Sequence, residues 1–321
     1  MTILVLGSTG LAGSAICRRL RLDNREFIAA TRGDVDLLNF KSVDNYFRKV
    51  KPSTIYGAAA LVGGMAANIK YPVEFLMNNI TIQNNTILSA YNNNVEKFIF
   101  LGSSCVYPEK AESPISEDLL LTGSLVKTNE AYAIAKISGL KLIEYFREEY
   151  SKNWVSVMPT NLYGPGDNFD RQNSHVVAAL IRKFHEAILE GRNEITLWGS
   201  GNPRREFMHV DDFASAVTFI ANHYNDREPI NIGTGTDISI KELADMLVKI
   251  SGFKGKIQWN REVPDGTYQK TMSVNKLKNL GWKSKISLES GVESTYKWFA
   301  QNYSKTRLNV PVKVDDLIDS L

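Results

Sequence analysis

The sequence predicts an α/β fold, a doubly wound parallel sheet with a smaller C-terminal α/β lobe. Three observations carry that prediction. Short apolar runs alternate with amphipathic stretches from Thr2 onward. A glycine-rich GSTGLAG joins the first run to the first helical stretch. The regular alternation then breaks after PTNLYGPGD, where strand-like pieces become short. Strands that alternate with helices make parallel sheets with right-handed crossovers.

Residues Thr2 to Leu6 form an apolar run suited to a central strand buried on both faces. A helix follows over Gly10 to Leu22, with Leu11, Ile16 and Leu20 apolar. The second strand spans Phe27 to Thr31 and ends at Arg32. After a helix near Ser42 to Val50, a third strand covers Thr54 to Ala60. A long helix starts at Pro72, where proline suits a first turn, and runs to Asn93. KFIFLG, Lys97 to Gly102, is the fourth strand, and Trp154 to Met158 the fifth, with a helix at about Asn129 to Tyr150 between them. Beyond lie helices near Ser174–Glu190 and Val210–His223, the strand-like ITLWG and REFMHV, a helix from Ile240 to Ser251 and a last one from Leu288 to Asn302. INIG reads as a buried strand that can return to the first sheet. The expected division is a nucleotide-binding part over residues 1–165, to which 206–232 can return, a substrate lobe over 166–303, and a tail over 304–321.

At 321 residues the chain can bury one large core or two ordinary ones. A net charge of +3 with no block of like charges gives no footprint for nucleic acid. Two cysteines, Cys17 and Cys105, exclude a disulfide framework and fit a reducing compartment. No apolar run is long enough for a membrane span, and the apolar start is broken at Gly7, unlike a signal peptide. The expectation is a cytoplasmic protein.

Gly7, Gly10 and Gly13 lie between a strand and a helix, the context in which a glycine loop lets backbone N–H groups and a helix N-terminus approach a pyrophosphate. The ligand-free reading is a tight turn. An NAD enzyme places an acid at the end of the second strand, whereas this one ends at Thr31-Arg32. Arginine suits a 2′-phosphate, so NADP is favoured over NAD. Its bland alternative is a solvated surface arginine. Downstream, Tyr132 and Lys136 stand one helical turn apart on the same face, the only Tyr-x-x-x-Lys in a chain with 13 tyrosines. A cation beside a phenol favours the phenolate, which proton exchange with a sugar oxygen requires. Ser103 sits at a strand end in GSSCVYP.

With these pieces in order, the chain resembles the extended short-chain dehydrogenase/reductases, which carry a Rossmann domain. AAALVGGMAANIKYP, GSSCVYP, NEAYAIAKISG, MPTNLYGPGDNFD, NSHVVAALIRKFHEA, LWGSGNPRREFMHVDD and PDGTYQK narrow the resemblance to the GDP-L-fucose synthase family, over Thr2 to Tyr303. The resemblance implies 3,5-epimerisation and NADPH-dependent 4-reduction of GDP-4-keto-6-deoxy-D-mannose. It makes Ser103, Tyr132 and Lys136 the reductase triad and Cys105 and His175 the proton-transfer pair of epimerisation. NADP(H) would lie against Gly7, Ser8, Thr9, Gly10, Leu11, Ala12, Gly13, Arg32, Leu37, Leu101, Gly102, Ser103, Ser104, Lys136, Pro159, Thr160, Asn161, Leu162 and His175. Lys183, Trp198, Arg205 and Asp265 match positions that hold the GDP-sugar. It also implies a homodimer that pairs the helices near Pro72–Asn93 and Asn129–Tyr150. Two departures stand out. Relatives often carry a basic residue in the glycine loop where this chain has Ser8 and Thr9, and Lys183 stands where arginine is common.

The residue types fit that chemistry. Inverting a centre next to a ketone needs an acid and a base on opposite faces, and a thiol and an imidazole both work near neutrality. Buried packing is the ordinary fate of a cysteine, and hydrogen-bonded helix-start packing that of His175. His185, His209 and His223 are equal candidates without the resemblance. No Cys/His cluster has metal-ligand spacing. A dehydratase would place an acid after the strand-end serine, and Ser103-Ser104-Cys105 has none. Two alternatives stay open: another GDP-keto-sugar such as a heptose, and a catalytically silent NADP-binding regulator, against which the intact Ser103, Tyr132 and Lys136 argue.

Overall fold

Ile3–Leu6 (β1) is buried at all four positions, so the strand can only lie at the centre of a layered structure. In the computed structural model, which describes residues 2–171, 173–262 and 265–305, a glycine turn carries β1 into α1 (Leu11–Leu22), and β2 (Phe27–Ala30) pairs along one side of β1. After α2 (Phe40–Val50) the chain crosses to the other side of β1 and forms β3 (Thr54–Gly57). It then continues outward through α3 (Met65–Lys70), α4 (Pro72–Asn92), β4 (Lys97–Leu101), α5 (Glu130–Tyr150) and β5 (Val155–Pro159). The next elements are β6 (Asn161–Tyr163), α6 (Val176–Leu189), β7 (Glu194–Trp198), β8 (Arg204–Arg205), β9 (Phe207–His209), α7 (Val210–His223) and β10 (Ile230–Ile232). Then come β11 (Ile238–Ser239), α8 (Ile240–Ser251), β12 (Lys256–Asn260), β13 (Gln269–Lys270), α9 (Asn275–Asn279) and α10 (Leu288–Asn302).

The main sheet has six strands in the order β2-β1-β3-β4-β5-β10, every neighbouring pair parallel. INIG does join it, through Ile230 opposite Val157. Alternate strand residues feed opposite faces. Ile3, Val5, Tyr56, Ile99 and Val157 pack under α1 and α7, while Leu4, Leu6, Ile55, Phe98 and Phe100 pack under α2, α4 and α5. The winding reverses between β1 and β3, and crevices at such switch points take ligands at the carboxyl ends of the strands. A separate core gathers α6, α8 and α10 with β7 and β12 around Phe184, Leu197, Leu247 and Phe299.

Three expected boundaries move for reasons that the contacts show, one local and two long-range. The second strand stops at Ala30 because Asp34 turns back to accept from the Thr31 N–H at 2.8 Å and the Thr31 hydroxyl at 2.6 Å. The third stops at Gly57, not Ala60, because Ala58 and Ala59 pass against the backbone of Gly7. REFMHV is not one strand. Glu206 interrupts it, 0% exposed, so that β8 pairs with β11 and β13 while β9 pairs with β6. The buried carboxylate is satisfied by the backbone N–H groups of Thr234, Gly235 and Met272 at 2.6, 2.8 and 2.8 Å. It thereby ties the loop after β10 to the segment after β13. Burial still pushes Glu206 up, with those N–H donors opposing. Val263 and Pro264 of VPDGT and residues 306–321 of the expected tail lie outside the described residues.

Candidate active site

The glycine loop is built for close approach. Gly7 has φ +71°, a left-handed conformation that favours glycine, and a Cβ there would meet the Ala59 backbone at 2.8 Å. A Cβ on Gly13 would stand 2.1 Å from the Gly7 carbonyl. Gly10 caps α1 with no side-chain hydrogen bond and no acid follows in the first turn, leaving the helix N-terminus suited to an anion. Ser8 is committed elsewhere, its hydroxyl donating to the Ala30 carbonyl at 2.8 Å. Thr9 and Arg32 are exposed beside it. The Asp34 carboxylate, which the sequence alone did not single out, is held low first by the Thr31 side-chain hydrogen bond and then by its N–H. An acid two residues beyond Arg32 is thus spent on its own turn, and the exposed guanidinium is left as the polar group suited to a 2′-phosphate. Leu37 stands near this end, its carbonyl taking a 2.9 Å bond from Asn85. The residues present fit a dinucleotide phosphate.

At the carboxyl ends of β4 and β5 the chain collects its reactive side chains. Leu101 and Gly102 end β4, and the Gly102 N–H donates to Val157 at 2.8 Å. Ser103 then starts a short turn over Ser104–Val106, and its hydroxyl accepts from the Cys105 N–H at 3.2 Å. Ser104 faces inward, buried, while Cys105 is half-buried. Tyr132 and Lys136 come from the first turns of α5. The Tyr132 ring meets Phe75 edge-on at 6.2 Å. Burial is the main force raising the Tyr132 phenol, the Cys105 sulfur adds to it, and a hydrogen bond with Ser103 opposes.

One expectation changes here. Lys136 does not lower the phenol in this structure. Its Nζ donates to the Leu101 carbonyl at 2.8 Å and lies 5.9 Å from the Tyr132 ring centroid. Burial pushes the ammonium itself down to about 8. The two groups share a face as their spacing requires, but the backbone carbonyl at the end of β4 claims the cation.

Pro159, Thr160, Asn161 and Leu162 line the ends of β5 and β6. Thr160 and Asn161 are fixed by bonds to the Glu206 carbonyl at 3.2 and 2.9 Å. His175 caps α6 through its backbone, with no side-chain cap. Its side chain is exposed, while the protein packed around it lowers the imidazole. The ring is therefore neutral near neutrality, able to accept a proton. The loop before it is anchored by the Gly64 N–H to Asn173 at 2.8 Å.

The second lobe supplies the remaining candidates. Lys183 donates to the Thr196 carbonyl at 2.8 Å, and burial, then Arg192, lowers it. Trp198 is 63% exposed at the end of β7. Asp265 holds Ser200 through its N–H at 2.9 Å and its hydroxyl at 2.5 Å, and that side-chain bond is the first cause of its lowered carboxyl. Arg205 is part-buried, lowered by that burial. Two residues inside quoted motifs were not singled out from sequence. Lys270, five residues after Asp265, lies close enough to Cys105 and Arg205 for both to act on its ammonium, although burial dominates and lowers it. Asn129 donates from Nδ2 to the Cys105 sulfur at 3.1 Å. Among the described residues no group of three or more His, Cys, Asp or Glu could hold a metal ion, and no helix is long and apolar enough to cross a membrane.

Comparison with known proteins follows the same lines. Residues 3–233 match the NAD dependent epimerase/dehydratase family. GDP-L-fucose synthase 1 of Arabidopsis thaliana is 47% identical over 301 residues, covering 94% of this chain and 93% of that one. A crystal structure of a GDP-L-fucose synthetase from Naegleria fowleri bound to NADP superposes with a TM-score of 0.89 at 31% identity, over 96% of this chain and 95% of that one. A GDP-6-OMe-4-keto-L-xylo-heptose reductase from C. jejuni superposes equally well, TM-score 0.89 at 33% identity, over 94% and 98%.

Proposed function

This chain belongs to the NAD dependent epimerase/dehydratase family and, within it, to the GDP-L-fucose synthases, and from that premise we propose that it epimerises GDP-4-keto-6-deoxy-D-mannose at carbons 3 and 5 and reduces carbon 4 to give GDP-L-fucose. NADP(H) is the cofactor, and when bound it supplies the hydride. The observation that carries the reading is the convergence of Ser103, Cys105, Tyr132 and Lys136 at the carboxyl ends of β4 and β5, beside the glycine loop. Cys105 and His175 exchange protons with carbons 3 and 5, acidified by the neighbouring ketone. Tyr132 protonates the oxygen on carbon 4, which Ser103 also hydrogen-bonds, and a phenol held neutral by burial is a proton donor at pH 7. Lys136 orients the cofactor ribose.

Gly7–Gly13, Arg32, Leu37, Leu101–Ser104, Pro159–Leu162 and His175 hold the dinucleotide. Lys183, Trp198, Arg205 and Asp265 hold the GDP-sugar, the basic pair suited to its pyrophosphate and the exposed indole to its base. Residues 1–165 with 206–232 act as the cofactor domain and 166–303 as the substrate lobe. The enzyme is read as cytoplasmic and homodimeric, with no nucleic-acid or membrane partner. The exposed apolar residues Val73 and Met77 of α4 and Ile134 of α5 support that pairing. The heptose reductase likeness favours one second reading, a GDP-keto-heptose at the same site.

Deuterated water separates the two chemistries. With NADP+ in place of NADPH, the parent enzyme should exchange protons at carbons 3 and 5 of the keto-sugar. Cys105→Ser should suppress exchange and keep cofactor binding, whereas Tyr132→Phe should still exchange and lose reduction by about 100- to 10,000-fold. Exchange retained in both Cys105→Ser and His175→Asn would remove the epimerase half. Reduction of a GDP-4-keto-heptose in preference to the deoxy-mannose sugar would replace the substrate.

A further inference from the structure

The N-cap position of α5 is occupied by Asn129, among the best N-capping residues, yet its side chain makes no cap hydrogen bond. The amide is turned instead onto the Cys105 sulfur, with Nδ2 at 3.1 Å. Its Oδ1 is buried and, among the described residues, has no hydrogen-bond partner. A buried, unpaired amide oxygen and an abandoned cap both cost stability, so a purely structural asparagine would sit the other way, bonding the helix N–H groups. The cost is accounted for if the amide N–H is wanted at the sulfur. An N–H aimed at sulfur stabilises a thiolate and fixes the rotamer from which it meets a substrate carbon.

We propose that Asn129 is a positioning residue for Cys105: its amide donates to the sulfur, holds the side chain toward the cleft and favours the thiolate. This rests on the reading of Cys105 as a proton-transfer residue in epimerisation. The same helix that presents Tyr132 and Lys136 for reduction thereby begins with the residue that prepares the thiol, so a single element serves both half-reactions. Among the described residues, the other titratable groups that act with the sulfur are the Tyr132 phenol from α5 and the Lys270 ammonium from β13, with the Ser103 hydroxyl on the Cys105 N–H. Asn129→Ala and Asn129→Ser remove the amide without adding a charge, so their difference from the parent reports the amide.

The test is the pH dependence of Cys105 alkylation by iodoacetamide, read peptide by peptide so that buried Cys17 is scored separately, in the parent, Asn129→Ala, Asn129→Ser and Asn129→Asp. Loss of one hydrogen bond to a charged group should move the alkylation midpoint of Asn129→Ala up by about one pH unit. Asn129→Ser, a good cap without an amide, should shift similarly. Asn129→Asp, as good a cap as serine but a like charge beside the thiolate, should shift further. If Asn129 merely capped α5, Asn129→Ser would match the parent, and the proposal would fall. It would also fall if the midpoint dropped in Asn129→Ala, since that is the sign expected when Oδ1 accepts the thiol proton. Deuterium exchange at carbons 3 and 5, run on the same variants with NADP+, tests the reading beneath. Shifted alkylation with unchanged exchange would keep the Asn129–Cys105 contact and remove Cys105 from epimerisation.

Discussion

Replacing Lys136 by methionine should make the cofactor-free protein more stable while abolishing most of its reductase activity. Lys136 is 4% exposed, and its ammonium donates to the Leu101 carbonyl at 2.8 Å. Burial lowers the ammonium from 10.5 to about 8. A group that holds its proton less firmly when folded lets the unfolded state bind more protons, so stability rises with pH between the two values. The penalty is therefore full below about pH 8 and is relieved as pH climbs from about 8 toward 10.5. At ~1.4 kcal/mol per unit, a shift of between two and three units corresponds to about 3 kcal/mol. Methionine keeps the length of the stem, removes the charge, and leaves the Leu101 carbonyl without its donor, which returns ~1 kcal/mol.

The net expectation is a gain of ~2 kcal/mol at pH 7, roughly 3 °C in the thermal midpoint of a chain this size. Melting of parent and Lys136→Met without cofactor, at pH 7 and pH 9.5, reads it directly. The gap should shrink toward zero at the higher pH, because the parent has by then shed its proton. A variant that melts below the parent at pH 7, or a gap that ignores pH, would show that burying this cation does not cost the fold its stability. Stability gained with activity lost would mark Lys136 as a residue retained for chemistry at the expense of the fold.

Two further outcomes are expected. Arg32→Ala should weaken NADPH binding about tenfold or more, as loss of a charge-assisted bond to phosphate implies, and leave NADH binding nearly unchanged; equal loss of both, measured by fluorescence titration, would mean that Arg32 does not meet the 2′-phosphate. Met77→Glu with Ile134→Glu places charge on exposed apolar positions of α4 and α5 and should give a monomer by light scattering. A dimer that survives both would move the interface elsewhere.

The strand and helix pattern was legible wherever one residue's environment is set by its near neighbours. β1, α4, α5 and β10 follow from apolar runs, the proline start of α4 and helical periodicity. Two of the misplaced edges were set by partners far along the chain: Gly7 against Ala59 ends β3, and Glu206 reaching Thr234 and Met272 splits REFMHV; the end of β2 was set by the local Thr31–Asp34 turn. The same division holds in the site. Tyr132 and Lys136 could be paired from spacing alone, because four residues on a helix always share a face. What the spacing could not decide is which acceptor the ammonium would choose, and the Leu101 carbonyl, 35 residues upstream on β4, takes it. Asn129 and Lys270 were hidden for a related reason. Each stands inside a motif, but its significance lies in a contact with Cys105 that the fold creates by bringing α5 and β13 to the end of β4. A motif thus names the residues that react, while the groups that set their protonation arrive from other elements. Those supporting groups are the ones to compare when two members of this family share Ser103, Cys105, Tyr132 and Lys136 yet differ in the balance of epimerisation and reduction.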